Sequence, residues 1–256
     1  MRNQGLDYFR SNRKIWSFLI GLEDKGWKFS KTQYILEKKK ILDSKISSDE
    51  LISQTYRLDE EKYLRYDLTI PWKNYLEQKT NQPKLLKRYE LGEVFRKGPR
   101  KGRRYRNFTQ LDLEICSKTN YQTEELLRDF SELFQNLLPR ILLKYNNYSY
   151  LKELSFLEKQ QIDKHFSKNK PIDPKVLAKY TSIISKIIDK PSLKTCFTSV
   201  YTPSLMRGQG IYEEEVFEGY FDNEKYSLFG GGTYKVGEYF CTGISIGIDF
   251  LCDLID

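Results

Sequence analysis

Apolar residues between positions 12 and 25 recur at helical spacing, with Ile15, Trp16, Phe18, Leu19 and Leu22 followed by Gly26. A stripe returning every three or four positions lets a helix bury one face, and a glycine behind it supplies a stop. Residues 27–37 alternate loosely, as a strand would. Short strands are expected at 54–58 and 63–66, around the turn Asp59-Glu60-Glu61. Asp67 stands where a helix can begin, with Leu68, Ile70, Trp72, Tyr75 and Leu76 behind it. Pro71 is tolerated in that first turn. Residues 85–96 and 106–116 form the clearest strand pair. Tyr89, Leu91, Val94 and Phe95 lie on the outgoing run, and Phe108, Leu111, Leu113 and Ile115 on the return.

The pattern then lengthens. Residues 121–145 predict a long amphipathic helix with Thr123 as its N-cap. Residues 146–194 are Lys-rich, with helical stretches around 151–165 and 174–188 punctuated by Pro171, Pro174 and Pro191. Strand character returns at 196–229, Gly230-Gly231-Gly232 breaks the chain, and residues 243–249 read as a strand entering a final helix. The expected organisation is an α+β core in two parts, 1–119 and 196–256, with a helical insertion at 120–195. The core is expected to be an antiparallel sheet of about six strands flanked by helices.

Composition narrows the class. The chain has 256 residues, 39% hydrophobic and 30% charged, which suits a globular chain with a filled core. The net charge of +8 suits RNA, nucleotides or acidic proteins, and equally a soluble lysine-rich surface. No apolar run approaches the ~18 residues of a membrane helix, and the first residues lack the apolar segment of a signal peptide. Cys116, Cys196, Cys241 and Cys252 show no C-x-x-C spacing, and with the single His165 they make no zinc site. Reduced cysteines and a cytoplasmic location, or an organelle matrix or stroma, are expected, with no membrane partner and no protein metal site.

Four constellations can carry chemistry. Arg96, Arg100, Lys101, Arg103, Arg104 and Arg106 crowd one hairpin, which suits a triphosphate or a nucleic-acid backbone, or a solvated tip. Gln110 and Glu114, four apart on a strand, share a face where they can orient an amine or imidazole; most such pairs are surface residues. Arg207-Gly208 precedes Glu213-Glu214-Glu215, a run that usually marks a solvated turn. The triple glycine permits close approach to a ligand, although a strand bend is the commoner meaning.

In chain order these segments resemble the histidyl type of class II aminoacyl-tRNA synthetase. Leu64-Arg65-Tyr66-Asp67-Leu68-Thr69-Ile70-Pro71 is similar to that family's L-R-Y-D-L-T-V-P segment. Residues 88–96 and 102–110 resemble the halves of motif 2, and Arg207-Gly208 with Val216-Phe217-Glu218 resembles the histidine-specific loop. Gly231-Gly232-Thr233-Tyr234 and residues 243–249 resemble the segment before motif 3 and motif 3 itself. The resemblance covers about 5–118 and 196–254. It implies that Asp67 and Thr69 hold an amino group and that Gln110, Glu114, Tyr212, Tyr234, Gly231, Gly232 and Gly243 form the amino-acid pocket. Arg96 and Arg207 would be the catalytic cations, and Arg96, Arg104 and Arg106 would bind ATP, with magnesium. A homodimer is implied as well.

Several positions depart from that family. Phe250 replaces the motif 3 arginine, Gly98 an acidic residue, Ile211 a pocket tyrosine, Glu213 and Glu214 a small pair, and Lys235 an aspartate. Gln33 lies near the position of a missing proline. A neutral ring does not replace a phosphate-binding cation, and added negative charge beside ATP repels phosphate. No anticodon-binding domain is expected. Three functions follow from the resemblance. One is activation of histidine or a similar small amino acid with ATP as an aminoacyl adenylate, passed to tRNA or another acceptor. Another is a non-catalytic histidine sensor resembling the regulatory subunit of ATP phosphoribosyltransferase, with a partner protein. The third is an RNA-binding or accessory subunit.

Overall fold

The computed structural model describes residues 4–42, 53–78, 83–97, 106–187, 193–206, 211–222, 224 and 226–255. The expected sites Arg104 and Arg207, and the hairpin residues Gly98 and Arg100 to Arg103, lie outside the described residues.

The chain opens with α1 (Gln4–Asp24), then β1 (Lys28–Phe29), β2 (Ile35–Glu37), α2 (Lys38–Leu42), β3 (Lys62–Leu64) and α3 (Thr69–Gln78). The hairpin β4 (Leu85–Phe95) and β5 (Asn107–Ser117) follows, then α4 (Thr123–Phe134) and β6 (Ile141–Asn147). Next come α5 (Phe156–Lys168), α6 (Pro174–Ser185), β7 (Thr198–Tyr201), β8 (Glu215–Phe221), β9 (Phe229–Val236), β10 (Tyr239–Gly247) and α7 (Ile248–Ile255). Eight strands form one sheet in the order β1-β4-β5-β10-β9-β8-β6-β7. The end strands β1 and β7 pair parallel with their neighbours, and every other pairing is antiparallel. The sheet is thus wider than the six or so strands expected, because β6 and β7 extend it beyond β8.

Alternation along β5 sets the two faces. Leu111, Leu113 and Ile115 are fully buried against a core shared with Phe18 and Leu22 of α1 and Phe130 and Phe134 of α4. Gln110, Asp112 and Glu114 point to the opposite face and are just as buried. One face is therefore an apolar layer under helices, and the other a polar layer under α3.

Three expectations change. The long helix at 121–145 ends at Phe134, and residues 141–147 are a sheet strand. Pro139 lacks an N–H and disfavours helix in the residue before it, so the chain leaves the helix and enters the sheet. The span 120–195 accordingly contains a core helix and a core strand. Within it, α5 and α6 pack on a second apolar cluster that holds Ile162, Val176 and Tyr180 and also takes in Tyr148, Leu151, Leu205, Met206 and, from β8, Val216. Gly230-Gly231-Gly232 does not break the chain: all three sit within β9, paired to β8 and β10.

Candidate functional site

The register of four strands builds the site. Glu114 of β5 faces Arg88 of β4 on one side and Gly243 of β10 on the other. Asp112 sits between Glu90 and Ser245, and Gln110 between Gly92 and Gly247. A Cβ on Gly243 would lie 2.5 Å from Glu114 Oε2, so the glycine leaves the space that the carboxylate fills. A Cβ on Gly231 would collide with the Gly243 carbonyl oxygen, so the two strands need glycine at their crossing. Gly232 abuts the Tyr212 ring and the Glu215 carbonyl in the same way.

A chain of hydrogen bonds runs across this layer. Arg96 Nη2 donates to Gln110 Oε1 at 3.2 Å, and Gln110 Nε2 donates to Asp112 Oδ1 at 2.7 Å. The Thr69 hydroxyl lies 3.2 Å from Asp112 Oδ2 and 3.3 Å from Glu114 Oε1, so its single proton serves either. Tyr234 closes the chain by donating to Glu114 Oε2 at 2.6 Å. Asp67 is half-buried at the start of α3, and its Oδ1 accepts from the Ile70 amide at 2.9 Å. Behind these groups, Glu90 bridges Arg65 at 2.8 Å and Arg88 at 2.9 Å, and Arg88 Nη2 lies 3.9 Å from Glu114.

Burial dominates the protonation of the acids. Desolvation raises the Asp67 carboxyl above its usual range, against the Ile70 amide and the Arg96 cation, which favour its charge. It raises Asp112 to about 6, opposed chiefly by Arg88 and Gln110. It raises Glu114 to about 7, opposed by Arg88 and reinforced by the charge of Asp112. Asp112 and Glu114 titrate as a pair rather than as independent groups. Such acids are poised to gain from a cation brought by a ligand.

Above this layer opens a cavity of about 390 Å³, lined by Asp67, Thr69, Arg96, Gln110, Tyr212 and Gly231 among others. Those six sequence-predicted residues meet at one place. Glu114, Tyr234, Gly232 and Gly243 form the layer beneath it and do not line it. Arg106 is exposed and contributes only its carbonyl, which accepts from the Arg96 amide at 2.7 Å. The Arg96 guanidinium is held over Tyr66 at 4.3 Å and Phe108 at 5.0 Å, and it donates to the Tyr66 carbonyl at 3.1 Å. The lining thus holds one described cation, Arg96, and two carboxylates, Asp67 and Glu218, with Asp112 and Glu114 buried behind Thr69.

Sequence reasoning gave no role to Asp112, Arg88 or Glu218, although Arg88 and Glu218 stand in segments that carry the resemblance. Asp112 lies midway between Gln110 and Glu114, so period-2 alternation alone places it on their face. The contacts of Arg88 follow from the pairing register, and Glu218 lines the cavity from β8. The acidic run is the solvated turn that was expected, with Glu213 and Glu214 exposed ahead of β8. Glu213 accepts from Tyr121 at 3.0 Å and lies 3.8 Å from Lys235, outside the cavity lining. Two departures from the resembled family therefore contact each other rather than the cavity.

The described residues do not fit a triphosphate. The described lining carries one cation, Arg96, beside Asp67 and Glu218. Phe250, at the position of the resembled arginine, packs against the main apolar core. Charge on a nucleotide's phosphates needs several cations or metal ions around it. Among the described residues, no group of three or more His, Cys, Asp or Glu is arranged to hold a metal ion. No helix among them is long and apolar enough to cross a membrane.

No family model matches the chain. Histidine–tRNA ligase 1 of Bacillus cereus is 40% identical over 104 residues, which cover 39% of this chain and 24% of that protein. Histidine–tRNA ligase 2 of Shouchella clausii is 41% identical over 85 residues, 33% of this chain and 20% of that protein. The chain therefore matches about a quarter or less of the length of these relatives. Among solved structures, an ATP phosphoribosyltransferase regulatory subunit/histidyl-tRNA synthetase from Bacillus halodurans C superposes with a TM-score of 0.71 at 13% identity. That likeness covers 100% of this chain and 82% of the other. Histidyl-tRNA synthetase from Nostoc sp. PCC 7120 superposes with a TM-score of 0.67 at 17% identity, over 97% of this chain and 72% of the other. The fold is that of class II aminoacyl-tRNA synthetases, and part of the sequence is similar to histidine–tRNA ligases.

Proposed function

We propose that this protein binds histidine or a similar small amino acid in the cavity between α3 and the β4-β5-β10-β9 face. The observation that carries the reading is the polarity of the cavity. Arg96 faces the ligand's carboxylate, and Asp67, with Asp112 and Glu114 beneath Thr69, faces its ammonium. A guanidinium suits a carboxylate through paired N–H groups. Buried acids in turn gain most when the incoming group is a cation. In this reading the protein senses the amino acid, and its readout is a partner protein. The lone described cation of the lining and the neutral Phe250 favour it. The Bacillus halodurans C neighbour, which is named in part as a regulatory subunit, agrees with it.

A second reading, ATP-dependent activation of the same amino acid, is favoured by Arg96 at the cavity wall and by the names of the partial relatives, which are histidine–tRNA ligases. It requires cations beyond the described lining, such as Arg104 and Arg207, and magnesium. A homodimer belongs to both readings. The large exposed side chains of Trp16 and Ile20, one turn apart on α1, support a second copy there. RNA as a partner rests on the +8 charge, the basic residues between Arg96 and Arg106 and the Lys-rich stretch at 146–194. Titration calorimetry with histidine and with ATP, followed by pyrophosphate exchange, separates the readings. Histidine binding without exchange supports the sensor, histidine-dependent exchange supports activation, and absence of histidine binding overturns both.

A further inference from the structure

Two buried arginines share one buried glutamate behind the amino-acid cavity. Arg65 and Glu90 are 0% exposed and Arg88 is 3% exposed. Each oxygen of Glu90 takes one cation: Oε1 accepts from Arg65 Nη1 at 2.8 Å, and Oε2 from Arg88 Nη1 at 2.9 Å. Oε1 also accepts from the Thr32 amide and hydroxyl, each at 3.0 Å. Two cations and one carboxylate leave one positive charge over. A buried charge without a counter-charge is costly, so that excess needs a further anion close by.

The way Arg88 is held decides where the excess points. Nη1 is fixed by Glu90 and by the Ser30 hydroxyl at 3.2 Å, and Nη2 donates to the Leu68 carbonyl at 3.2 Å. The guanidinium lies over the Trp72 ring at 4.3 Å. In that pose Nη2 comes within 3.9 Å of Glu114. The groups around Glu114 come from every neighbouring element: Arg88 from β4, Asp112 from its own strand, Tyr234 from β9, Cys241 from β10 and Tyr212 ahead of β8. From α3, Thr69 reaches it directly, and Asp67 acts on it by way of Asp112. Burial keeps Tyr234, Tyr212 and Cys241 protonated. Arg88 is the one cation among these groups, and Glu90 is the carboxylate that offsets it.

We propose that Glu90 is a positioning residue of the amino-acid site: it fixes Arg88 and, by offsetting part of that cation's charge, sets the pH at which Glu114 becomes an anion for a ligand's ammonium. The proposal rests on the reading of the cavity as an amino-acid site, and it gives that site a built-in working pH. Glu90 itself touches no ligand. It acts through the charge that it leaves to Arg88.

The test is a carbon-13 NMR titration of the full chain, labelled at the glutamate carboxyl carbons and free of ligand. The Glu114 signal is identified by its loss in Glu114→Gln. Glu90→Gln keeps an acceptor oxygen for Arg88 and removes the negative charge, so it is expected to lower the Glu114 midpoint by about one pH unit. Glu90→Asp, which restores the charge, is expected to return the midpoint to near that of the parent. The pH profile of histidine affinity, measured by calorimetry, is expected to move down with Glu90→Gln by the same amount. A Glu90 that served the fold alone would lower Tm and leave the midpoint in place. Should Glu90→Gln not fold, the double variant Arg65→Met/Glu90→Gln removes a cation together with the carboxylate and is expected to move the midpoint in the same direction. An unmoved or raised midpoint, a Glu90→Asp that behaves as Glu90→Gln, or loss of the fold in both neutral variants overturns the proposal. Absence of histidine binding overturns the amino-acid reading, while the Glu114 midpoint, read without ligand, still decides whether Glu90 sets its charge.

Discussion

The four strands under α3 and the helical pair α5–α6 are built by different rules. In the strand region Glu114, Asp112, Arg88 and Glu90 are nearly or fully buried, and same-strand contacts such as Arg88–Glu90 are joined to others that cross between strands and to α3. In the helical pair the ordering contacts are local. Ser155 and Glu158 form a reciprocal capping box, Asp173 caps α6 ahead of Pro174, and Lys179 reaches Glu158 at 3.0 Å. A region organised by short-range contacts can be altered without disturbing the rest. A region of interlocked buried charges changes as a unit. That is why the strand region suits a ligand site, and why its cost appears as carboxyl groups lifted toward neutrality.

Gly243→Val should break the contrast most sharply. The new side chain collides with Glu114, so a loss of ~2–3 kcal/mol and a drop in Tm of roughly 5–10 °C are expected. Histidine binding should vanish with it, and thermal unfolding plus calorimetry reads both. Arg96→Ala should separate binding from folding. Truncating one partner of a charge pair with the ligand costs about 2–5 kcal/mol of affinity, at least roughly thirtyfold, while Tm stays near that of the parent.

The pH dependence sharpens the same point. Asp112 and Glu114 are raised to about 6 and about 7, so between about pH 4 and pH 7 the folded protein holds more protons than the unfolded chain. Their contribution to stability therefore falls as pH rises through that window. Affinity for a ligand ammonium should move the other way and strengthen between about pH 5.5 and 7.5, with proton release. The other charged groups facing the pair, Arg88 and Asp67, modulate its midpoint. Calorimetry in buffers of different ionisation enthalpy measures the released protons, and Glu114→Gln should flatten the profile.

Ser155→Ala should act on the other region alone. Loss of the cap should cost about 1 kcal/mol, seen as faster amide exchange across α5 and α6, with histidine affinity unchanged. Lys179→Ala removes a half-exposed ion pair and should shift Tm by less than about 2 °C. An effect of either substitution on histidine binding would show that the two regions are not independent.

The β4–β5 hairpin was legible because its alternation and basic turn are local features. So were α1, α3 and the entry from β10 into α7. Gln110 and Glu114 could be placed on one face by counting. The same count reaches Asp112, which was missed because a pair was sought rather than a row. The triple glycine read as a break because the reason for it lies elsewhere in the chain, in the Gly243 carbonyl of β10 and the Tyr212 ring ahead of β8. Glu213 and Lys235 read as separate losses, although they contact each other across 22 positions of the chain.

Hydrophobic periodicity, turn residues and the order of segments thus determined the class of fold and most of the elements, because those signals act over a few residues. The tertiary structure decided what the polar residues do. Register brings Arg88, Glu114 and Gly243 abreast, and burial turns ordinary carboxyls into groups that titrate near neutrality. Neither is a property of any short stretch of chain: pairing distance and dielectric environment exist only once separate strands have come together.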